Sequence, residues 1–388
     1  MDYNFDELID RRGTDSMKWN VPDNTIPMWV ADMDFKTAPE IIDALSERVA
    51  HGIFGYTEIP DEWRRAYVGW WQRRHGFTME TEWLIFATGV IPAISSTVRK
   101  LTTPNENVVI QTPVYNIFFN SIINNGARVL ENPLRCNDGK FEMDLQDLEK
   151  KLADPQTTLM ILCNPHNPVG CIWDRETLAA VAELAARYNV TVISDEIHCD
   201  LTIPGREYVP FASVSETARD VSITCLAPTK AFNIAGLQTA AVSVPNPLLR
   251  HKVWRALNTD EVAEPNAFAC LAAIAAFEKG APWLDALRGY LFENRQTVYS
   301  YFKANLPAVR VIESEATYVL WLDVSAVGNG DEVSEFLQSN AGVYLSAGSI
   351  FGGPGKNFLR LNTACPRATL LEGLERIASG IRQLQGEG

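Results

Sequence analysis

The chain has 388 residues, of which 46% are hydrophobic and 21% charged, a composition typical of a globular enzyme. This length suffices for one large domain with its own core and a second, smaller domain. The 34 Lys and Arg residues against 48 Asp and Glu residues give a formal net charge of −14, which argues against nucleic acid or an anionic membrane as a partner.

The N-terminal residues 1–6 are acidic and lack the basic and then apolar pattern of a signal peptide. No apolar stretch reaches the roughly 18 residues that could span a bilayer. The seven cysteines form no CxxC pair, which predicts free thiols, and the five histidines form no HExxH pattern. The sequence therefore predicts a cytoplasmic protein without a metal site.

The middle of the chain alternates short strand-like segments with helical ones. Seven segments are β-branched or otherwise apolar, namely residues 83–87, 107–111, 128–131, 157–163, 190–194, 222–226 and 239–244. Helical stretches lie between several of them, such as residues 175–188, where apolar side chains recur on one face. Strands separated by helices predict an α/β fold with a mostly parallel sheet that is covered on both faces.

The C-terminal part has a different pattern. After a helix-rich stretch over residues 247–304, strand-like segments return at residues 309–313, 318–323, 343–345 and 358–362, with helices near 331–339 and 368–384. This α+β pattern predicts a separate small domain, joined by the N-terminal 45 residues. We therefore expect a large domain over residues 46–285 and a small domain made of residues 1–45 and 286–388.

Lys230 is the most informative single residue, because it lies in a turn between two predicted buried strands. A lysine held there is desolvated, which lowers its pKa and favours the free amine that attacks an aldehyde. Most lysines are solvated surface groups, so Lys230 alone carries little weight. A catalytic role for Lys230 is supported by polar residues that end or follow earlier predicted strands.

Pyridoxal phosphate (PLP), an aldehyde cofactor, needs a carboxylate at its ring nitrogen. Asp195 stands at the carboxyl end of the predicted strand 190–194, although a strand-end Asp more commonly caps a turn. Glu196 is the competing carboxylate, and side-chain alternation along a strand lets only one of the two enter a site. Asn167 could donate to the ring oxygen, while its Asn-Pro sequence is also a turn signal.

A phosphate binds well to the backbone N–H groups of a helix start. Gly89 and Val90 lie between a predicted strand and a helix predicted from residue 92 onward, although most strand–Gly–helix turns bind nothing. The hydroxyl of Thr229 could add a further donor.

Two further residues could complete such a site. Tyr115 follows the strand-like segment 107–111, where its ring could stack on a flat cofactor, although an aromatic residue there is more often core packing. Arg360 lies among apolar neighbours, which suits either a substrate carboxylate or an internal ion pair.

As a set, these motifs resemble the fold-type I PLP enzymes of the class I and II aminotransferase superfamily. Within it the chain resembles the MalY/PatB group of cystathionine β-lyases, or cysteine-S-conjugate β-lyases. The resemblance runs nearly end to end, through residues 26–35 (IPMWVADMDF), 55–57 (GYT), 89–90 (GV), 164–170 (NPHNPVG), 194–198 (SDEIH), 229–237 (TKAFNIAGL) and 358–367 (FLRLNTACPR).

The resemblance implies the PLP-dependent transferase fold, with a mostly parallel sheet between helices in a large domain and an additional small α+β domain. It also implies an activity, a carbon–sulfur β-lyase that cleaves L-cystathionine or related cysteine S-conjugates by β-elimination to a thiol, pyruvate and ammonia. A homodimer is implied as well, because Tyr56 resembles the tyrosine that reaches the cofactor of the opposite subunit.

The resemblance assigns roles to individual residues. The implied cofactor contacts are Lys230, Asp195, Asn167, Tyr115, Gly89, Val90, Thr229, His198 and Tyr56. The implied substrate contacts are Arg360, Asn167, Tyr56 and Trp29. The implied catalytic residues are Lys230, Asp195, Tyr56 and Tyr115. Among these, Lys230 would carry the cofactor and remove the substrate Cα proton, and Arg360 would bind the substrate carboxylate.

One position departs from the wider superfamily. Typical aminotransferases of this superfamily carry an arginine eight residues after the lysine, paired with the cofactor phosphate, and this chain has Gln238 there. The glutamine fits the β-lyase group better. An aminotransferase remains an alternative, which a second carboxylate-binding arginine would favour, with Arg11, Arg12 and Arg367 as candidates. A regulatory or binding protein that retains the fold is a further alternative.

Overall fold

The structure, a computed structural model, describes residues 3–386. The strands are β1 Ile26–Pro27, β2 Leu84–Ala87, β3 Asn107–Ile110, β4 Arg128–Glu131, β5 Arg135–Asn137, β6 Lys140–Glu142, β7 Thr157–Cys163, β8 Thr191–Asp195, β9 Ser222–Leu226, β10 Ala240–Ser243, β11 Arg310–Val311, β12 Val319–Asp323, β13 Val343–Tyr344, β14 Ser346–Ala347 and β15 Phe358–Asn362. The α-helices are α1 Pro39–His51, α2 Asp61–His75, α3 Val90–Leu101, α4 Ile117–Ile123, α5 Leu145–Leu152, α6 Arg175–Arg187, α7 Glu216–Val221, α8 Pro247–Thr259, α9 Ala269–Lys279, α10 Ala281–Asn305, α11 Gly330–Phe336 and α12 Arg367–Leu384.

Seven strands form a large sheet in the order β2-β10-β9-β8-β7-β3-β4. Neighbouring strands are parallel except at β10, which pairs antiparallel with β9 and β2. Successive side chains of β8 enter two different cores, since Val192 packs in the core that contains α6 and Ile193 in the core that contains α3. Helices therefore cover both faces, and the predicted α/β fold with a mostly parallel sheet is confirmed.

The carboxyl ends of six strands of this sheet, all except β10, lie at one edge. Cys163 of β7 lies beside Asp195 of β8, which lies beside Cys225 of β9. On the other side of β9, the antiparallel β10 places Ala87, the last residue of β2, close to Leu226, the last of β9. This is the edge at which open α/β sheets bind ligands.

A second, antiparallel sheet has the order β11-β12-β15-β14 and packs against α10 and α12 around a separate apolar core. The predicted strand at residues 343–345 lies elsewhere, because β13 pairs in parallel with β1 and so ties the N-terminal segment to the C-terminal part of the chain. The predicted domain boundaries at residues 45/46 and 285/286 fall inside α1 and α10. Division of the chain at these residues stays a prediction.

Several elements differ from the predicted ones. α3 begins at Val90 rather than at residue 92, and α11 continues as a π-helix over Leu337–Ala341. The hairpin β5-β6 was not predicted, because its strands are short and mostly exposed and show no apolar alternation. Within residues 3–386, no helix is long and apolar enough to cross a membrane.

Candidate active site

Two adjacent carboxylates end the central strand β8 and have different surroundings. Glu196 accepts hydrogen bonds from the hydroxyls of Ser194 (2.9 Å) and Tyr208 (2.8 Å). Asp195 accepts the backbone N–H of Ile197 at 3.1 Å and is only 5% exposed. Burial raises the pKa of Asp195 to about 7. A cationic group beside it would stabilise its charged form.

Lys230 follows β9, the neighbour of β8, and is partly buried. Burial, more than any other cause, lowers the pKa of Lys230 to about 8, and the positive charge of Arg360 lowers it further. The carboxylates of Asp32 and Asp195 act in the opposite direction. Its Nζ donates a hydrogen bond to the backbone carbonyl of Ala31. A lysine with a lowered pKa supplies the free amine that nucleophilic and base chemistry require.

Arg360, in the middle of β15, is 6% exposed and has no carboxylate partner among the described residues. It donates to the backbone carbonyl of Trp29 (2.8 Å) and to Asn167 Oδ1 (3.4 Å), and its guanidinium lies 4.8 Å from the ring centroid of Phe351. Its Nε is buried without a partner, and burial lowers its pKa to about 10. An incoming carboxylate would supply the missing counter-charge in a bidentate geometry.

Three more of the predicted residues gather around these groups. Asn167 is buried and contacts Arg360 through its amide oxygen. Burial raises the pKa of Tyr115, and the nearby Arg360 guanidinium partly offsets this shift. His198 is buried with an unpartnered Nδ1, and burial, Lys230 and Arg360 together lower its pKa to about 3, so that it is neutral.

The start of α3 provides a place for an anion at the same edge of the sheet. Gly89 is the N-cap residue, no side chain caps the helix, and the first turn from Val90 contains no acidic residue. Its first N–H groups and the helix dipole therefore favour a bound phosphate. Thr229, largely buried, follows the nearby end of β9.

The donor set fits PLP. The edge combines an amine of lowered pKa at Lys230, a buried carboxylate at Asp195 and an uncapped helix start at Gly89. The orphaned polar atoms Nε of Arg360 and Nδ1 of His198 point to a missing polar ligand in the same place. A flat aldehyde cofactor with a phosphate, together with a substrate carboxylate, would use all of these groups.

Tyr56 lies outside this group of residues. It occupies the irregular stretch between α1 and α2, and its relative exposure of 107% leaves its side chain entirely in solvent. Ile53 and Phe54 beside it are also exposed, at 67% and 54%. An exposed apolar strip of this kind is typical of a surface that another chain covers.

One participant at the border of the site, Tyr318, was not predicted as a site residue. Tyr318 donates its hydroxyl to the backbone carbonyl of Ala31 at 2.8 Å, and this is the carbonyl that Lys230 also contacts. Trp29, which was predicted, meets Arg360 through its backbone carbonyl, whereas its indole stacks on Tyr344 at 4.9 Å between centroids. Only the β12–β15 register, which pairs Val319 with Asn362, brings Tyr318 to this place.

One group of potential metal ligands, His75, Cys199 and Asp200, lies elsewhere in the core. Asp200 is hydrogen bonded to His75 Nε2 at 3.0 Å, and the indole N–H of Trp70 lies 3.1 Å from both carboxylate oxygens. These contacts explain the buried carboxylate without an ion. The expectation that the chain holds no metal stays a prediction.

Comparisons with known proteins identify the family. The profile of the family described as "Aminotransferase class I and II" matches residues 24–377. The chain belongs to this family. Cystathionine beta-lyase PatB of Bacillus subtilis (strain 168) is 44% identical over 385 residues, which cover 97% of this chain and 100% of PatB. Protein MalY of Escherichia coli (strain K12) is 33% identical over 392 residues, covering 99% of this chain and 100% of MalY.

The structural comparison agrees. Cystalysin from Treponema denticola, whose crystal structure contains a pyridoxal 5'-phosphate cofactor, superimposes with a TM-score of 0.96 at 32% identity, covering 99% of this chain and 100% of cystalysin. The predicted resemblance to the MalY/PatB group of class I and II aminotransferases and the predicted PLP-dependent transferase fold are confirmed.

Proposed function

We propose that this protein is a PLP-dependent carbon–sulfur β-lyase that cleaves L-cystathionine or a related cysteine S-conjugate to a thiol, pyruvate and ammonia. The observation that carries the proposal is the placement of Lys230, with its lowered pKa, near a buried arginine that has no anionic partner among residues 3–386. The full-length identity of 44% with a named cystathionine β-lyase supports the same reaction.

When bound, PLP supplies an electron sink for the electron pair that proton removal leaves on the substrate Cα. Arg360 would bind the substrate α-carboxylate and so orient the Cα–H bond. Lys230 would hold the cofactor and, once the substrate amine replaces it there, take the Cα proton as a free amine. The carbon–sulfur bond then breaks, the sulfur leaves as a thiolate, and hydrolysis of the three-carbon fragment yields pyruvate and ammonia.

The remaining residues would hold and tune the cofactor. Asp195 would keep the ring nitrogen protonated, because a buried carboxylate gains from a counter-charge as much as the ring does. Asn167 would donate to the ring oxygen, and Tyr115 would stack on the ring. The phosphate would bind at the start of α3, at Gly89 and Val90, and the hydroxyl of Thr229 would be a further donor to it. His198 would also contact the cofactor.

We also propose a homodimer in which Tyr56 enters the site of the partner subunit. The proposal is supported by the complete exposure of Tyr56 and of its apolar neighbours Ile53 and Phe54. A cytoplasmic location is proposed from the acidic composition and from the scattered, unpaired cysteines of the described chain.

An aminotransferase with two carboxylate-binding arginines is less well supported. Arg11 contacts the carboxylates of Asp32 and Asp34 at 2.9 and 2.7 Å. Arg12 donates to backbone carbonyls of residues 21–25, and Arg367 donates to Asn294 Oδ1 at 2.7 Å. All three candidate arginines therefore already have partners within the chain, whereas Arg360 has no anionic partner in the described part of the chain.

The deciding experiment measures pyruvate release from L-cystathionine by the PLP-loaded protein without added keto acid. We expect pyruvate and homocysteine in equal amounts, and no release by the variant Lys230→Ala. Absence of pyruvate together with turnover after addition of a keto acid would identify an aminotransferase instead. Borohydride reduction followed by peptide mass spectrometry should place the cofactor on Lys230, and attachment at another lysine would contradict the site assignment.

A further inference from the structure

Residues 29–33, the "carbonyl segment", cross the site between Arg360 and Lys230 in an irregular conformation. All five of its backbone carbonyls accept hydrogen bonds from side chains. The donors are Arg360 and Ser346 to Trp29, Asn362 to Val30, Lys230 and Tyr318 to Ala31, Asn362 and Lys18 to Asp32, and Arg11 and Asn233 to Met33. Side chains thus supply most of the partners that the backbone would provide in a helix or strand, and among the described residues only the Val30 carbonyl also accepts a backbone N–H, that of Asp32.

Asn362 makes the central contacts of this arrangement. Its Nδ2 donates to the carbonyls of Val30 (2.5 Å) and Asp32 (2.6 Å), the residues on either side of Ala31. Its Oδ1 accepts the backbone N–H of Ala364 at 2.8 Å, and its side chain is buried. The amide is therefore fixed in orientation while it holds both neighbours of the carbonyl that Lys230 contacts.

Asn362 and Arg360 lie two residues apart in β15, so their side chains project from the same face of the strand. Arg360 holds the carbonyl of Trp29, and Asn362 holds those of Val30 and Asp32. One strand therefore supplies both the carboxylate-binding group and the support for the segment that contacts the lysine.

We propose that Asn362 is a positioning residue, which holds the carbonyl segment so that the Ala31 carbonyl orients Lys230 Nζ relative to Arg360. The proposal rests on the proposed β-lyase function, in which Lys230 removes a proton from a substrate that Arg360 binds. Asn362 contacts neither Lys230 nor Arg360 directly, and it acts through the backbone of residues 29–33. Displacements of about 1 Å at a reacting group reduce turnover by about a hundredfold, so such support has a measurable effect.

A purely structural role is the competing explanation, and Asn294 provides a matched control. Its Nδ2 likewise joins two carbonyls two residues apart, those of Thr363 and Cys365 (both 2.9 Å), and its Oδ1 accepts the side-chain Nε–H of Arg367 (2.7 Å). It is also fully buried. Replacement of either asparagine by alanine removes two amide-to-carbonyl hydrogen bonds from a buried position, but only Asn362 donates to the carbonyl segment.

The first measurement is the kinetics of pyruvate release by Asn362→Ala and Asn294→Ala. We expect kcat to fall by at least about tenfold in Asn362→Ala and by less than about threefold in Asn294→Ala. The variant Asn362→Asp retains the size and the acceptor but not the donor. It should therefore fail to restore kcat.

The second measurement uses the cofactor-free protein and does not depend on activity. The rate at which acetic anhydride labels Lys230 is followed by mass spectrometry of its peptide from about pH 6 to about pH 10, and its midpoint reports the pKa of the amine. Burial dominates the lowered value, near 8 in the native chain, so a loosened carbonyl segment should expose the amine. We expect the midpoint to rise by at least about half a unit in Asn362→Ala and to stay unchanged in Asn294→Ala.

The charged and titratable groups around Lys230, namely Asp32, Asp195, His198 and Arg360, are the same in both variants. An unmoved midpoint in Asn362→Ala, or a kcat loss no larger than in Asn294→Ala, would overturn the positioning role. If Asn362→Ala does not fold, the serine variants of both positions replace the alanine variants under the same criteria. Absence of pyruvate from the native protein would contradict the proposed function, whereas the labelling result would still decide whether Asn362 controls Lys230.

Discussion

Asp195 and Glu196 are adjacent in the chain, yet only the carboxylate of Glu196 is enclosed by hydrogen-bond donors. It accepts the hydroxyls of Ser194 and Tyr208 and the backbone N–H of Phe211, all at 2.8–2.9 Å. Burial raises the pKa of both carboxyls to about 7. The difference in partners, rather than in burial, marks Asp195 as the carboxylate available to a ligand.

The first prediction compares the two neutral isosteres at these positions. Asp195→Asn should fold but lose at least about a hundredfold in turnover, because the ring nitrogen of the cofactor loses its counter-charge. Glu196→Gln should instead lower the free energy of unfolding by about 1–3 kcal/mol, because a buried network loses an acceptor, and should leave turnover within about threefold. Pyruvate release and urea unfolding of both variants check this, and equal turnover losses would contradict the assignment.

The second prediction concerns the pH dependence of stability in the cofactor-free protein. The pKa of Lys230 is lowered to about 8 in the folded chain, from 10.5. Below about pH 8 the buried lysine is charged in both states, so folding bears the full desolvation cost. This cost disappears as the pH rises to about 10.5, because the unfolded chain still binds a proton that the folded chain has released.

Lys230→Met should therefore unfold at higher urea concentration than the native sequence near pH 7, by at most about 3 kcal/mol, and the difference should shrink near pH 10. The exposed Lys252, changed to Met, serves as the control for loss of a surface ammonium. A stability difference that does not depend on pH would show that the amine of Lys230 is not desolvated.

The third prediction uses the missing counter-charge of Arg360. Arg360→Lys should lower kcat/KM for cysteine S-conjugates by at least about thirtyfold, because an ammonium cannot form the bidentate contact with a carboxylate. The matching S-conjugates of cysteamine lack the α-carboxylate, so the variant should process them as slowly as the native protein does. Thiol release from both substrate types provides the measurement, and an equal loss on both would refute carboxylate binding by Arg360.

The sequence predicts the inner strands of the large sheet well because they are buried on both faces. The bounds of β7 and β9 match the predicted segments at residues 157–163 and 222–226, since largely apolar runs end where turn residues begin. The antiparallel direction of β10 leaves no comparable signal, because its length and apolarity are those of the parallel strands of the sheet.

Some residues of the candidate site could likewise be predicted from the sequence, and others could not. Residues that follow strand ends, such as Asp195 and Lys230, could be predicted from local pattern, and the structure places them at one edge. The carbonyl segment has no apolar period, and its partners come from distant parts of the chain. Asn362 is the exception that the sequence could have indicated, because it lies two residues after Arg360 on the same strand face.

The last prediction tests whether two subunits build each site. The side chain of Tyr56 is fully exposed. In the proposed dimer it enters the partner's site, so Tyr56→Ala and Lys230→Ala should each be nearly inactive for different reasons. In a mixed dimer, one site combines an intact Lys230 with an intact Tyr56 from the other subunit, while the second site lacks both. Unfolding and refolding the two variants together at equal amounts should therefore restore about a quarter of native pyruvate release, since half of the dimers are mixed and each has one complete site.

The separately refolded variants, combined afterwards at a temperature where subunits do not exchange, are the control. If Tyr56 acted within its own chain, every mixed dimer would contain two defective sites, and no activity would return.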